Sequence, residues 1–408
     1  MPTFEYKARD RSGKIVAATM EAATQRDVAS KLREKGLFVA EIKRPGTGLN
    51  TEIKLPKWLD FGNRPGIRDV TIFSRQFATV IAAGLPVVQS LAILQKQTDK
   101  EGFADALKKI REDVETGLPL SDAMRKFPGI FDRLYVYLVK AGEVSGNLDG
   151  ILERVAGYLE KQAELRGKIR SALTYPAVVL VIAVGVTFFL LTGIVPQFAQ
   201  ILTSLGGEMP LITQVLIAIS DFLQNAWWTL ILAVAAVVVG LRLWRRTDGG
   251  RRATDRALLR LPVFGTLIQK TAIANFSNTF GLLLQSGVNI VEALDITKGT
   301  AGNAVIEDIL DEAKTAVQRG EQISATLTRH PRVFPPLVSS MTAIGEETGA
   351  VDAMMQKIAS FYEREVDEAV ASLTAALEPL LIVFLGVVVG FIVAGMFIPM
   401  FSIMGQLS

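Results

Sequence analysis

The chain has 408 residues, of which 50% are hydrophobic and only 21% are charged, and 44 Lys and Arg against 41 Asp and Glu give a net charge of +3. This length accommodates two or three domains, the apolar content indicates that part of the chain lies in lipid, and the near-neutral charge argues against a nucleic-acid-binding protein. The chain has no cysteine, and His330 is its one histidine, which excludes disulfides, cysteine-ligated metals and multi-histidine metal sites. We therefore expect no catalytic residues, no metal and no cofactor.

The first 43 residues have the pattern of a small α+β module. Thr3–Ala8 and Ile15–Met20 are predicted strands, Thr24 is predicted to cap a helix that runs through Lys35, and Leu37–Ile42 is a third predicted strand. The stretch 44–65 is rich in Gly, Pro, Asn and Lys, which predicts a linker. The opening residues lack the apolar core of a cleaved export signal.

Residues 66–175 have a helical period in their apolar positions. Phe73, Phe77, Val80 and Ile81 follow the spacing of one helix face. Gly-Leu-Pro and Phe-Pro-Gly breaks interrupt this pattern at short intervals, so the region is predicted to form a bundle of short helices.

Three apolar segments are long enough to cross a bilayer, namely residues 176–196, 226–244 and 379–401. A helix rises about 1.5 Å per residue, so about 20 apolar residues match a hydrocarbon core of about 30 Å. The loop 197–225 carries a helical apolar stripe, which predicts an amphipathic helix. This helix either continues into the second span or lies on the membrane surface.

The positions of Lys and Arg beside the spans predict their orientation. Four cations precede the first span and five follow the second, whereas the loop 197–225 has none. Because positively charged flanks stay in the cytoplasm, we expect the N-terminus, the first bundle and a second bundle at 245–378 to be cytoplasmic. The loop and the tail 402–408 are then on the outer side of the membrane, in a chain that crosses it three times.

The chain contains an internal repeat. Phe73–Phe198 aligns without a gap on Phe276–Phe401, at an offset of 203 residues. Pro176, just before the first span, meets Pro379, just before the third. Each copy is therefore predicted to be a helical bundle that feeds one outward-going span, and the second span returns the chain to the cytoplasm.

The most conspicuous polar motif, GE-xx-G-xx-D, occurs once in each copy. It defines a first corner, Ala141–Asp149, and a second corner, Ile344–Asp352. The motif residues are Gly142, Glu143, Gly146 and Asp149 in the first corner, and Gly345, Glu346, Gly349 and Asp352 in the second.

Three interpretations of the corners remain open at this stage. The first is a tight inter-helix turn, in which the glycines take positive φ or allow close approach and the carboxylates cap helix amides. The second is a partner-docking corner, since recognition residues concentrate on turns of rigid scaffolds. The third is a carboxylate cation site, although two carboxylates supply few of the six to eight oxygens that calcium takes.

A second candidate surface lies on the third span. Gly386, Gly390 and Ala394 recur every four residues, and small residues at that spacing let another membrane helix approach closely. The approaching helix is a span of this chain, a second copy or a separate membrane protein. Glu378, beside Pro379 at the inner edge of the span, is either solvated at the interface or pairs with a charge on an incoming helix.

Together these motifs resemble a known family. The FSRQF-ATVIAAGLP opening of the first copy, the two corners, LEPLLIVFLG at the third span, the ungapped duplication and the three spans are similar to the inner-membrane platform proteins of type IV pilus machines, the PilC/GspF family. The wider family includes the F protein of type II secretion systems and archaeal flagellar platforms. The resemblance covers essentially the whole chain.

The resemblance implies a mainly α integral membrane protein with two homologous six-helix cytoplasmic bundles, which forms a homo-oligomer, as a dimer or a larger assembly. It implies as partners the hexameric pilus assembly and retraction ATPases, pilin transmembrane helices and other inner-membrane pilus alignment proteins. The implied role is non-enzymatic: coupling those ATPases to insertion or removal of pilin subunits at the filament base, as in twitching motility. Some secretion-branch members carry calcium on the first bundle, a point that Glu143 and Asp149 leave open here.

Rival functions are separated by features of the spans and of the polar residues. The F protein of a type II secretion system shares the fold and differs in the filament that it assembles. A membrane transporter would need polar or discontinuous helices near the bilayer midplane, and the three apolar segments have no mid-span polar group of that kind. A membrane-bound enzyme would need a convergent set of titratable groups, which no motif supplies.

Overall fold

The three-dimensional structure is a computed structural model that describes residues 3–9, 15–22, 25–34, 38–43, 65–204, 210–262 and 264–407. Helices dominate these residues, beside one three-stranded sheet, so the prediction of a mainly α chain is confirmed. The predicted linker lies outside the described residues up to residue 64, and so does the proposed cap Thr24. The chain divides into two units, Met1–Phe61 and Gly62–Ser408.

The first unit is an antiparallel sheet with one helix. Strands β1 (Thr3–Arg9), β2 (Ile15–Glu21) and β3 (Phe38–Lys43) lie in the order β2-β1-β3, and helix α1 covers Gln25–Glu34. These bounds match the predicted strands and helix closely. The buried apolar residues of this unit are Ala8, Ala22, Val28 and Leu32.

The first copy of the repeat folds into six helices, α2 (Ile67–Ala82), α3 (Val87–Gln97), α4 (Glu101–Glu115), α5 (Leu120–Arg125), α6 (Arg133–Ser145) and α7 (Leu148–Phe189). Aromatic rings build the centre of this bundle. Phe73 stacks on Phe77 with ring centroids 5.5 Å apart, and Phe131 meets Phe73 edge-on at 5.9 Å. Offset-stacked and edge-on pairs are the arrangements that ring quadrupoles favour.

Between the two copies the chain runs through apolar helices. A π-helical turn, Leu190–Ile194, joins α7 to α8 (Val195–Ser204), and α9 covers Leu211–Trp244. A short basic helix, α10 (Asp248–Arg260), follows.

The second copy again has six helices, α11 (Phe264–Gln285), α12 (Ile290–Lys298), α13 (Ala304–Gln318), α14 (Ile323–Arg329), α15 (Pro336–Thr348) and α16 (Val351–Leu407). Its aromatic core repeats that of the first copy. Phe276 stacks on Phe280 at 5.6 Å and meets Phe334 edge-on at 5.6 Å. The duplication detected in the sequence is therefore also a duplication of packing.

Three helices are long and apolar enough to cross a membrane: Leu148–Leu202, Leu211–Trp244 and Val351–Phe401. Each contains one of the predicted spans, which confirms the expectation of three apolar spans. The helices meet near one end, where Leu191, Val195, Leu216 and Ile392 form a buried apolar cluster.

Two hydroxyl groups reinforce that meeting point. Thr213 Oγ1 donates to the Gly395 carbonyl at 2.8 Å, and Ser220 Oγ donates to the Leu191 carbonyl at 2.5 Å. The amphipathic segment of α9 therefore packs against the other two spans, and it continues into the second span through a kink at Ala226 (φ −131°, ψ 20°).

The two bundles share one hydrophobic cluster and are joined by polar contacts. Arg133 of α6 pairs with Asp295 of α12 at 3.2 Å, and Gln162 of α7 donates to Asn275 of α11 at 2.7 Å. A hydrogen bond from Lys314, with a smaller contribution from Arg133, holds the pKa of Asp295 below its usual value. The bundles therefore form one continuous body within the second unit.

Candidate docking surfaces

The first corner connects α6 to α7, the helix that continues into the first span. Gly146 ends α6 in the left-handed conformation, with φ 69°, which glycine adopts without the Cβ clash of other residues. Gly142 lets α6 approach α7, because an added Cβ would lie 3.2 Å from the Cβ of Ile151. Both glycines are therefore required by local geometry.

The second corner reproduces this geometry between α15 and α16. Gly349 has φ 67°, and a Cβ added to Gly345 would lie 2.9 Å from the Cα of Val351. The nearest atom to an added Cβ is therefore closer at Gly345 than at Gly142, where it is 3.2 Å away. A side chain larger than glycine would fit even less well at Gly345.

Glu143 caps the neighbouring helix α5. Its Oε1 accepts a hydrogen bond from the Leu120 N–H at 2.5 Å, and its Oε2 accepts from the Ser121 N–H at 3.2 Å and the Ser121 hydroxyl at 2.6 Å. The first amides of a helix have no partner within the helix, and a carboxylate there also interacts favourably with the helix dipole. Glu143 thus directs its charge into its own bundle.

Glu346 does the same in the second copy. It accepts from the Ile323 N–H at 2.5 Å, the Ser324 N–H at 3.1 Å and the Ser324 hydroxyl at 2.5 Å. The tight-turn interpretation is therefore confirmed for both glutamates and for the glycines beside them. The groups of each corner that remain accessible are those outside the cap.

The accessible part of the two corners differs. In the first corner the side chain of Val144 is 82% exposed, and Asp149 is exposed without an ion pair or side-chain hydrogen bond among the described residues. In the second corner Glu347 is the exposed equivalent of Val144, and Asp352 is half-buried. The first corner therefore presents an aliphatic tip and the second an acidic one.

Sequence reasoning missed Ser121, Ser324 and Val144. The two serines could have been found, because the same 203-residue offset that pairs the glutamates also pairs these serines. Val144 lies inside the motif at a position where the two copies have different residues. A comparison that looks for residues shared by the copies does not identify it.

On the third span, Gly386 and Gly390 are exposed, and a Cβ added to either would meet no other atom within 4 Å. The contact with α9 is instead made at Gly395, where an added Cβ would lie 2.8 Å from Leu216 Cδ2. Ala394 is half-buried. The glycine face of α16, defined by Gly386 and Gly390, is therefore not covered by the described spans of this chain.

An apolar groove of about 710 Å³ lies between α7 and α16, and we call it the interspan groove. Its lining residues, all hydrophobic or proline, are Leu173, Pro176, Ala177, Leu180, Leu377, Leu380, Leu381, Val383 and Phe384. Glu378 is exposed and lines a separate cavity of about 610 Å³. That cavity also contains the Lys168–Asp367 ion pair at 2.8 Å, so Glu378 sits beside charges of both signs.

The remaining polar groups do not converge on a reactive centre in the part of the chain that the structure describes. No group of three or more His, Cys, Asp or Glu side chains there could hold a metal ion.

His330 contacts Glu312 at 2.9 Å on the surface of the second bundle. Burial raises the pKa of Asp132, whose carboxylate accepts the Tyr135 N–H and so begins helix α6.

Two family profiles match the chain. The profile described as type II secretion system (T2SS), protein F, matches residues 73–196 and again residues 276–399, which are the two copies of the repeat. The N-terminal domain profile of type II secretion system protein F matches residues 1–43. Both predicted bundles with their following spans, and the N-terminal module, thus fall within this family.

Full-length relatives support the same assignment. The chain is 61% identical to the type IV pilus assembly protein PilC of Thermus thermophilus over 408 residues, which is 100% of both chains. It is 41% identical to PilC of Myxococcus xanthus, covering 99% of this chain and 96% of the relative. It is 36% identical to the type II secretion system protein F of Xanthomonas campestris, covering 99% of each. The chain belongs to the type II secretion system protein F family, in which it is similar to type IV pilus assembly proteins over its full length.

Proposed function

We propose that the chain is the inner-membrane platform of a type IV pilus machine. In this role it is a non-enzymatic part that couples cytoplasmic assembly and retraction ATPases to insertion or removal of pilin subunits at the filament base. The relatives named for pilus assembly support this branch, since the identity to one of them is 61%, against 36% for a type II secretion F protein.

One observation carries the mechanism: each corner is the start of a helix that runs without interruption into the membrane. Helix α7 has 42 residues and α16 has 57, which at 1.5 Å per residue corresponds to about 60 and 85 Å. Because the corner and the apolar segment belong to one helix in each copy, a displacement applied at a corner is transmitted along that helix to its apolar part. The corners and the membrane segments are therefore mechanically linked in both copies.

Each long helix contains a proline at the membrane entry, Pro176 in α7 and Pro379 in α16. Proline removes one backbone hydrogen bond and weakens the helix locally. Pro176 lines the interspan groove, and Pro379 lies in the chain between Leu377 and Leu380, which line it. We place the hinge of the transmission at these two positions, so that rotation of the bundles opens or closes the groove.

The proposed orientation puts the N-terminus and both bundles in the cytoplasm and the C-terminus in the periplasm. The cations that precede the first span and follow the second support it. In this orientation the two corners face the compartment that contains ATP.

The proposed partners follow from the accessible surfaces. The corners, including Gly142, Glu143, Gly146 and Asp149 and their second-copy equivalents, are the proposed docking regions for the ATPases, with Val144 as the apolar contact. The glycine face of α16, continued by Ala394, and the interspan groove are the proposed contacts for pilin transmembrane helices. Glu378, which lines the separate cavity beside Lys168 and Asp367, would pair with a charge on the incoming helix. Self-association and contacts with pilus alignment proteins use the remaining lipid-facing helices.

Deletion of the gene, with surface pili and secreted proteins scored on the same cells, tests this assignment. Loss of pili with secretion intact is expected, and complementation by the wild-type gene should restore pili. Intact pili with lost secretion would contradict the pilus role and favour a type II secretion platform. Nucleotide hydrolysis by the purified protein would contradict the non-enzymatic role.

A further inference from the structure

A strongly basic segment follows the second span. Residues 242–260 contain seven arginines and two aspartates, a net charge of +5, whereas the whole chain carries only +3. The segment comprises the last turn of α9 and the whole of α10. Positive charge is therefore concentrated at one end of a membrane-spanning helix.

The turn between these helices is too tight for α10 to move away from the end of the span. The Thr247 N–H donates to the Trp244 carbonyl at 3.0 Å, and Thr247 Oγ1 caps α10 by accepting the Gly250 N–H at 3.1 Å. A Cβ added to Gly250 would lie 2.0 Å from the Trp244 carbonyl oxygen. Trp244 is the last residue of the apolar helix α9, and tryptophan is enriched where membrane-spanning helices reach the interface. A chain that spans the membrane through α9 therefore begins α10 at the depth of the headgroups.

The inner face of α10 is fixed to the second bundle. Asp255, whose side chain is 3% exposed, accepts hydrogen bonds from Arg245 at 2.8 Å and from the Ala304 N–H at 2.9 Å. Arg251 pairs with Glu307 at 2.5 Å, and Arg252 pairs with Asp308 at 3.0 Å. These ion pairs use the arginines of this face and hold the helix in one orientation.

The outer face of the segment has unpaired arginines. Arg246, Arg256 and Arg260 are exposed, and none forms an ion pair with a carboxylate in the part of the chain that the structure describes. Arg256 and Arg260 are one turn apart on the same face of α10. Just beyond the helix, Leu261 is 48% exposed and Phe264 is 41% exposed, so apolar side chains border the basic face.

We propose that Arg246, Arg256 and Arg260 form a binding surface for the phosphate groups of anionic phospholipids in the leaflet where the second span ends. Guanidinium groups bind phosphate through paired hydrogen bonds. The tight turn at Trp244 keeps the surface at the headgroups, and the exposed Leu261 and Phe264 match the acyl boundary, which a soluble anion or an acidic protein does not require. The inference depends on the chain spanning a membrane through its apolar helices and not on its role in a pilus machine.

A fluorescent reporter on α10 tests this proposal in the full-length protein. The chain has no cysteine, so Ala253→Cys, exposed between the arginines, can be labelled with a polarity-sensitive NBD probe. The protein is placed in phosphatidylcholine nanodiscs that contain an increasing fraction of phosphatidylglycerol. We expect a blue shift that grows with the phosphatidylglycerol fraction, because anionic headgroups bound to the outer face of α10 exclude water from the probe while the helix stays in place. Salt at 0.5 M NaCl should reverse the shift, since it screens surface charge.

The triple variant Arg246→Gln, Arg256→Gln, Arg260→Gln should need at least about five-fold more phosphatidylglycerol for the half-maximal shift, because each cation near an anionic surface contributes about that factor. The triple substitution does not remove any residue that forms an ion pair of α10. The matched control is Lys96→Gln, Lys109→Gln, Lys357→Gln, which removes three exposed, unpaired cations from the bundles and should respond like the wild type.

Three results would overturn the proposal. They are an equal shift in pure phosphatidylcholine, an unchanged response of the triple variant, and reversal of the shift by millimolar inorganic phosphate at constant ionic strength, which would indicate a site for the free anion. If the triple variant does not fold, the salt and lipid titrations of the labelled Ala253→Cys protein, which keeps all of its arginines, still test whether α10 binds anionic lipid.

Discussion

At the scale of single residues, the two corners combine an identical internal cap with different exposed tips. Glu143 and Glu346 each hold two backbone amides and one serine hydroxyl. Val144 and Glu347 occupy equivalent positions outside the cap and differ in polarity. The cap and the exposed tip of a corner are therefore different, neighbouring residues, and substitutions can change one without the other.

Removing the cap should destabilise the first bundle without changing its surface. In Glu143→Gln the carboxamide can accept only through one oxygen, so at least one of the groups on Leu120 and Ser121 loses its partner. We expect a loss of about 1–2 kcal/mol of stability, seen as a lower Tm of the full-length protein in detergent. Asp149→Asn, at an exposed residue of the same corner, is the control, and an equal loss there would contradict the cap.

Changing the exposed tip of the first corner should leave stability unchanged and weaken ATPase binding. Val144→Glu gives the first corner the residue that the second copy has, at a side chain that is 82% exposed, so Tm should stay near the wild-type value. Co-purification with the assembly ATPase should fall several-fold if the first corner docks it through an apolar contact. Glu347→Val is the reciprocal control, and unchanged ATPase recovery with Val144→Glu would remove the first corner as the docking site.

The contact between the bundles should depend on pH through Asp295. Because its folded-state pKa is below the usual value, Asp295 contributes stability that is complete above the unfolded-state pKa of about 4 and is lost as pH falls through the folded-state value. Asp295→Asn should therefore lower Tm at pH 7, and the difference from the wild type should shrink below about pH 4. A difference from the wild type that does not shrink as the pH falls below about 4 would contradict the charge contribution.

At the scale of helices, α16 uses different glycines for different contacts. Gly395 lies against Leu216 of α9, whereas Gly386 and Gly390 face away from the described residues. The internal contact is made by Gly395 together with Ile392, which is 3% exposed. Small residues at the glycine face are thus not needed for packing within the described chain.

This difference predicts contrasting effects of the same substitution at two positions. Gly390→Leu should leave the amount of membrane-inserted protein unchanged, because no atom lies within 4 Å of an added Cβ, but it should reduce surface pili by blocking a partner helix. Gly395→Leu should lower the amount of folded protein, because its Cβ meets Leu216 at 2.8 Å. Normal pilus numbers with Gly390→Leu would show that the glycine face is not a docking surface.

The sequence predicted the elements better than their contacts. Hydrophobic length and the 203-residue offset revealed the three spans and the duplication, since both depend on local pattern. The offset also paired the capping glutamates. It could not show that Gly386 and Gly390 are uncovered while Gly395 is packed, because periodicity defines a helix face and not its neighbour. For the same reason, the interspan groove required the three-dimensional structure.

At the scale of the whole molecule, the two bundles share a hydrophobic cluster and each extends through one continuous helix into the membrane. The described spans meet near Leu191 and Ile392, while the interspan groove separates α7 from α16 closer to the bundles. The spans are held together at the apolar cluster, and the interspan groove lies between that cluster and the bundles. Movement of the bundles can therefore change the width of the groove. We propose that an ATPase docked on the bundles drives this change.

A distance across the interspan groove tests that claim most directly. Leu180 and Val383 lie on opposite walls of the groove, and Leu180→Cys with Val383→Cys provides two spin-label sites in a chain without native cysteine. Pulsed electron paramagnetic resonance is then measured on the reconstituted complex with the ATPase, with and without ATP. The account predicts that the distance distribution shifts when ATP is hydrolysed, and an unchanged distribution in a complex that hydrolyses ATP would contradict it.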